Sequence, residues 1–331
     1  MSAEPGAGPS RVCIVGGAGF IGSHFVDRLL SERSTESVTV FDNFSSGREE
    51  HLAPNAGDSR LRIVRGEAAD LEHLVASMGG SEMVIHLASN PDIARAVTEP
   101  AIDFDAGTVL THHVVEAMRR SGARRILYAS GSGVYGDLGE MEVDEDHGPL
   151  LPISTYGASK LAGEALISAY CHMFGLTGCV FRFGNVVGPR QTHGVGYDFV
   201  RRLGQDPDRL RILGDGKQSK SYVHVSDVVE AVLLAAATAP RPLATYNVAT
   251  GDYITVGEIA DLAVKAVDLD PGRTEFEFTG GDRGWSGDVP VVRLSTDRIR
   301  RLGWTNAMST VQAVEASLAA MVEELHSGRV R

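Results

Sequence analysis

Cysteine is scarce: Cys13, Cys171 and Cys179 are the only three in 331 residues. So few scattered thiols make neither a disulfide framework nor a zinc-ligand pattern, and Cys13 sits in an apolar run that reads as buried. Basic charge is short too, with 31 Lys and Arg against 43 Asp and Glu, a formal −12. That balance argues against a general nucleic-acid binder, which shows a basic face. Phosphate recognition stays open, because helix N-termini and a few local cations suffice. Long apolar runs are missing: the late stretch VVEAVLLAAATAP is broken by Glu230 and is too short to span a bilayer. No signal peptide is visible. Residues 1–10, MSAEPGAGPS, read as a small, polar, disordered tail, and the expectation is a soluble, cytoplasmic protein without membrane or nucleic-acid partners. There is neither an internal repeat nor a low-complexity segment.

Alternation is what the chain does have. RVCIVGG, SVTVFD, LRIVRG, MVIHLAS, RRILYAS and CVFRFGN are short Val- and Ile-rich runs, mostly separated by amphipathic stretches. Apolar strands alternating with helices imply an α/β fold with a doubly wound parallel sheet of Rossmann type. The spacing of Ile21, Phe25 and Leu29 predicts a first helix over 20–31. After Val187 the pattern loosens, then resumes with helices near 226–238 and 255–268. The expected division is 11–184 plus about 222–250 for a cofactor domain. Residues 185–221 and about 251–328 form a smaller, loop-rich substrate lobe, with a ligand cleft between the two.

The strand RVCIV runs straight into Gly16, Gly19 and Gly22, and a helix follows. Glycine at these positions allows the tight turn, the approach of a pyrophosphate and the packing of the helix. The phosphates belong at the helix N-terminus. About twenty residues on, Asp42 ends the second strand, placed to accept from both ribose hydroxyls of NAD and to repel the 2′-phosphate of NADP. NAD is therefore the expected cofactor. Asp70, after the third strand, either reaches the adenine or caps a helix.

Tyr156 and Lys160 lie four apart in STYGASKLAGEALISAY, which reads as a helix burying Leu161, Ala165 and Ile167. They share a face, and a nearby ammonium favours the phenolate, so Tyr156 is expected to act as a base well below its free pKa of about 10. The adjacent His112 and His113 point apart and make no metal pair; no metal is expected.

GGAGFIGSH, FDNFSSG, VIHLASNPDIARAVTEP, YASGSGVYG, STYGASK, GNVVGPR, LGDGKQSKSYVHVSD and GDRGWSGDV together resemble the extended short-chain dehydrogenase/reductase superfamily. Within it they resemble the UDP-hexose 4-epimerases, and GPRQTHGVGYDF and RGWSGDV look most like the archaeal-type branch. The resemblance covers nearly the whole chain. It implies that Tyr156 is the base and Lys160 its partner, also on the nicotinamide ribose. Phe20, Ile21, Asn43, Leu71, Leu87, Ala88 and Ser89 join Gly16, Gly19, Asp42 and Asp70 on the cofactor. Asn90, Gly131 and Arg190 fall to the substrate, and Asn185, Lys220 and Arg283 to the diphosphate of this UDP-linked sugar. Helices near 108–120 and 157–173 would pair in a homodimer.

Three departures stand out. Relatives carry Ser or Thr where this chain has Gly131, often Thr or Glu at Gly133, and often Asn at Gly107. Sugar 4,6-dehydratases use an Asp–Glu pair where this chain has Ser132 and Gly133, so the usual elimination lacks its acid and base. Gly131 reads as a tolerated loss, with Ser130 and Ser132 the nearest hydroxyls and the candidate catalytic ones beside Tyr156 and Lys160. If the strand persists through them, alternation turns both away from the face of position 131. The function implied is an NAD-dependent nucleotide-sugar 4-epimerase working through a 4-keto sugar. The alternatives are a dehydratase or uronic-acid decarboxylase on the same scaffold, or a silent NAD-binding protein.

Overall fold

A computed structural model of the chain describes residues 10–240, 242–270 and 272–327; the expected tail over 1–10 lies outside them except for Ser10. Seven strands make the main sheet: β1 (Arg11–Val15), β2 (Ser37–Asp42), β3 (Leu61–Arg65), β4 (Met83–His86), β5 (Arg125–Gly131), β6 (Thr177–Phe183) and β7 (Leu243–Val248). Their order is 7-6-5-4-1-2-3. The pairs β1–β2, β1–β4, β2–β3 and β4–β5 are parallel. The order therefore reverses between β1 and β4, and ligands of open α/β sheets bind beyond the carboxyl ends of strands at such a point. The β1 and β4 exits carry the glycine turn and Leu87–Asn90.

The first helix, α1, runs Phe20–Ser31 as the spacing predicts, and buries Phe25 and Leu29. Helices α2 (Leu71–Met78), α3 (Leu110–Ser121) and α4 (Thr155–Phe174) follow. One core joins the sheet to these helices through Val84, Ile126, Tyr128, Leu74, Val114, Met118 and Ile167. The buried face of α4 differs from expectation. Gly163 and Glu164 turn inward, whereas Leu161 is half-buried and Ala165 exposed. Gly163 must face in, since a Cβ there would meet the Tyr128 hydroxyl at 2.3 Å. Glu164 faces in because Arg182 on β6 receives it at 2.8 Å.

The chain forms two compact units. The first takes residues up to Val134, Thr155–Arg182 and Val229–Tyr246; the second takes Tyr135–Ser154, Phe183–Val228 and residues from Asn247 onward. The segment 135–154, expected in the cofactor domain, joins the second unit. Its Tyr135 hydroxyl donates to Asn247 Oδ1 at 2.8 Å, and Glu142–Val143 pairs with Arg293–Leu294. The second unit is built from short strand pairs and the helices α5 (Val195–Gln205), α6 (Val225–Thr238, only its start in this unit), α7 (Val256–Ala266) and α8 (Thr310–His326). Leu203, Leu210, Ile259, Val314 and Leu318 centre its core. Capping boxes start α7 and α8, Thr255 with Glu258 and Ser309 with Gln312, each satisfying two otherwise orphan N–H groups.

Candidate functional site

The glycine turn after β1 makes a cradle. Gly16 has φ +86, and a Cβ there would lie 2.7 Å from the Ala88 amide nitrogen; at Gly22 it would lie 2.3 Å from Gly16 O. The first position gives the sharp turn, and the third brings α1 onto the turn's backbone. No side chain caps α1 and no acid occupies its first turn, where buried Phe20 and half-buried Ile21 lie. An uncapped N-terminus behind a close-packed glycine turn fits a pyrophosphate. Asp42 is 8% exposed. Its carboxylate accepts from the Ala18 N–H at 2.9 Å and the Phe44 N–H at 2.8 Å, so it fixes the glycine turn and keeps lone pairs for further donors. Asn43 bridges to Glu67 at 3.0 Å. Asp70 caps α2, accepting from the His73 N–H at 3.1 Å just before Leu71 opens the helix. The Leu87 and Ala88 amides both donate to Val15 O, tying the β4 exit to β1.

Tyr156 and Lys160 share one face of α4. Lys160 is buried; its ammonium lies 5.5 Å from the Tyr156 ring centre and donates to Ala129 O at 2.8 Å. Burial pulls the ammonium down to about 8 and pushes the Tyr156 phenol up to about 12, with nearby Asp103 adding to the rise and a hydrogen bond from Ser89 opposing it. The sequence expectation of a lowered phenol is thus reversed in the chain by itself. Desolvation penalises the phenolate more than its surroundings favour it.

Two of the expected site residues already have partners within the chain. Ser130, expected as a catalytic hydroxyl, is buried and donates to Glu164 at 2.5 Å, within the Glu164–Arg182 ion pair. Asn90, expected to bind the substrate, is 4% exposed. Its amide is consumed by Asp92 and by Asp103 at 2.9 Å. Strand geometry stops at Gly131 and Ser132 opens a 3-10 turn through Tyr135, so alternation no longer dictates where Ser132 points. Nothing lies within 4 Å of a Cβ built at Gly131, and Gly133 finds only Gly157 Cα at 3.7 Å. Gly107 is different: a Cβ there would meet Ser159 Oγ at 2.5 Å, so Ser159 already closes that space.

In the second unit, Lys220 pairs with Asp288 at 2.7 Å. Arg283 donates to Asp288 O at 2.8 Å and pairs with Asp137 at 2.5 Å. These cations are therefore held rather than loosely solvated. Asn185 is half-buried on a short strand paired with Tyr222–His224, and Arg190 is half-buried at φ +66, its N–H donating to Glu324.

Sequence reasoning missed Asp103, Thr155, Glu164 and Arg182. Glu164 carried a signal, standing one turn beyond Lys160 at the same four-residue step. No group of three or more His, Cys, Asp or Glu suited to a metal occurs among the described residues.

A family model described as the NAD dependent epimerase/dehydratase family matches residues 12–249. A putative UDP-glucose 4-epimerase of Methanocaldococcus jannaschii is 31% identical over 88% of this chain and 92% of its own. A dTDP-glucose 4,6-dehydratase of Actinoplanes sp. is 32% identical over 92% and 97%. A crystal structure of a UDP-galactose 4-epimerase superposes with a TM-score of 0.84 at 35% identity, covering 95% of this chain and 99% of that one.

Proposed function

Because the chain belongs to the NAD dependent epimerase/dehydratase family, we propose that it is a nucleotide-sugar 4-epimerase acting on a UDP-linked hexose or hexuronic acid. The observation that carries this is which polar groups remain available. Tyr156 and Lys160 stand together, while position 132 is serine and position 133 glycine. The two carboxylates that act electrostatically on the pair, Asp103 and Glu164, are spoken for. Asp103 accepts from Asn90 and Thr155, Glu164 from Arg182 and Ser130. No acid–base couple is left over for the elimination a dehydratase performs.

When bound, NAD supplies reversible oxidation at C4 and a positive charge beside the phenol. Tyr156 takes the proton of the C4 hydroxyl and returns it to the other epimer after the 4-keto sugar has turned. Lys160 keeps a cation next to the phenolic oxygen during both transfers. In the second unit Lys220 and Arg283 offer cations suited to a diphosphate, and in the first Asp42 orients the adenosine ribose while bracing the glycine turn. Incubation with UDP-hexoses, UDP-hexuronic acids and dTDP-glucose, read by NMR, tests the reading. An isomer of unchanged mass is expected; loss of water or carbon dioxide overturns it.

Asp42→Ala is expected to weaken NAD binding by on the order of tenfold or more, since it removes a charged acceptor of two backbone bonds. It also relaxes discrimination against NADP by deleting a repelling charge. Titration calorimetry with both cofactors checks this; unchanged affinities refute the role. Gly131→Ser meets open space and is expected to keep turnover within about tenfold of wild type. A dead variant that still binds NAD would show that the open space itself is required.

A further inference from the structure

Lys160, Lys217, Lys220 and Lys265 are the lysines of this chain, and only Lys160 is buried. A buried ammonium has lost most of its hydration, so protein groups must take the place of water. Around Lys160 two of them come from one strand. The carbonyl oxygen of Ala129 in β5 accepts from Nζ at 2.8 Å. The residue before it, Tyr128, presents its ring to the same nitrogen, with the ring centre 5.2 Å away. The Tyr156 ring approaches as well, at 5.5 Å. We propose that Tyr128 is a positioning residue for the reaction, its ring face holding Lys160 as a cation beside Tyr156. Tyr128 touches no reacting atom in this arrangement and acts through the ammonium alone. The proposal rests on the reading of Lys160 as the cation that accompanies Tyr156.

The sequence builds this contact from three sides. Tyr128 lies in the middle of β5 and is 1% exposed. It pairs in register with His86 of β4, and the two rings are 5.3 Å apart. From the helix side α4 comes down on the tyrosine, where a Cβ at Gly163 would lie 2.3 Å from the Tyr128 hydroxyl oxygen. Only glycine lets the helix pass there. Lys160 and Gly163 are three apart, so they share a face of α4. The close approach that requires glycine at 163 therefore also brings Lys160 onto the ring. Leucine at 128 would serve the core as an apolar residue; what it lacks is the negative ring face. That face attracts a cation, and more strongly where both are dry.

The titratable and charged groups facing Lys160 are Tyr156 and Glu164 on its own helix and Asp103 from the turn Ala101–Asp103. Tyr128 from β5 and His86 from β4 complete them. Glu164 is shared with Arg182 of β6. Burial, with Lys160 adding to it, pushes the His86 imidazole down to about 3, so this ring stays neutral. Burial pulls the ammonium down as well, and Asp103 and Glu164 oppose it. The ring face of Tyr128 works in the same direction as the two carboxylates. Removing it favours the neutral amine, so the Lys160 titration moves to lower pH.

So few lysines make that titration visible. Protein grown on isotope-labelled lysine gives one NMR signal set per lysine, and the Lys160 set is the one missing from Lys160→Arg. The test uses the NAD-loaded enzyme and two readouts, the Lys160 midpoint and the alkaline limb of turnover against pH. Tyr128→Leu is expected to lower the midpoint by about 0.5 to 1.5 pH units, the span of a desolvated cation–ring contact. The alkaline limb should move down with it. Tyr128→Phe keeps the ring and is expected to hold both readouts near wild type. If the leucine variant does not fold, increasingly fluorinated phenylalanines inserted at position 128 keep the shape while weakening the negative face. The midpoint should then fall step by step. An unmoved midpoint in Tyr128→Leu, or a flat fluorine series, overturns the proposal. Equal falls in the leucine and phenylalanine variants overturn it too, because the hydroxyl rather than the ring would then be responsible. A lowered midpoint with an unmoved alkaline limb removes the ring from the reaction and is equally fatal. Lys160→Met with wild-type turnover would instead sink the parent reading. The NMR midpoints need no turnover, so the two failures are told apart.

Discussion

Tyr156→Phe is expected to lose at least about 10²-fold in turnover, the usual share of a general base, while folding and binding NAD as the wild type does. The ring is half-buried at the start of α4, and phenylalanine fills the same volume. What disappears is one oxygen, the one proposed to accept the sugar proton. No neighbour can take over: Lys160 is committed to Ala129 O, and Asp103 to Asn90 and Thr155. NAD affinity by calorimetry and epimer formation by NMR separate the two effects. More than a tenth of the wild-type rate remaining would show that Tyr156 is not the base.

Glu164→Ala is expected to destabilise the fold by about 3–5 kcal/mol, the range for removing one partner of a buried ion pair. The pair is deep, with side chains 10% and 6% exposed for Glu164 and Arg182, so the guanidinium left behind has little water to turn to. Ser130 loses its acceptor in the same step. Chemical denaturation should show a lower midpoint with an unchanged slope. A double substitution, Glu164→Ala with Arg182→Met, should recover part of the loss because the buried guanidinium is then removed as well. A midpoint equal to wild type in the single variant would mean that water or a rearranged partner solvates Arg182.

The parts legible in the sequence were those governed by local rules. The strands, the glycine turn and α1 follow from period and from backbone room that only glycine gives. The Tyr156–Lys160 pair follows from a helical step. What the sequence hid depends on contacts across many residues. Asn90, Asp103 and Thr155 belong to three segments, and nothing in their local composition says that one carboxylate joins them. The inward face of α4 was misjudged because apolarity was expected to choose it, whereas a close approach at Gly163 and an ion pair at Glu164 chose it instead. The phenol's upward shift was missed for a related reason: spacing reports neighbours and says nothing of desolvation.

The pairing of Lys220 with Asp288 and of Arg283 with Asp137 makes the proposed capture of a diphosphate an ion exchange. At Lys220 and Arg283 the incoming anion would displace carboxylates that already neutralise both cations, and those carboxylates must return to solvent or find other donors. Affinity then measures how much better phosphate is than carboxylate, a difference far smaller than either attraction alone. Such a site holds its ligand only moderately and refills itself as the ligand leaves. For the proposed reaction, whose substrate and product carry the same diphosphate, that would be a built-in means of release, with Asp288 and Asp137 competing for the cations.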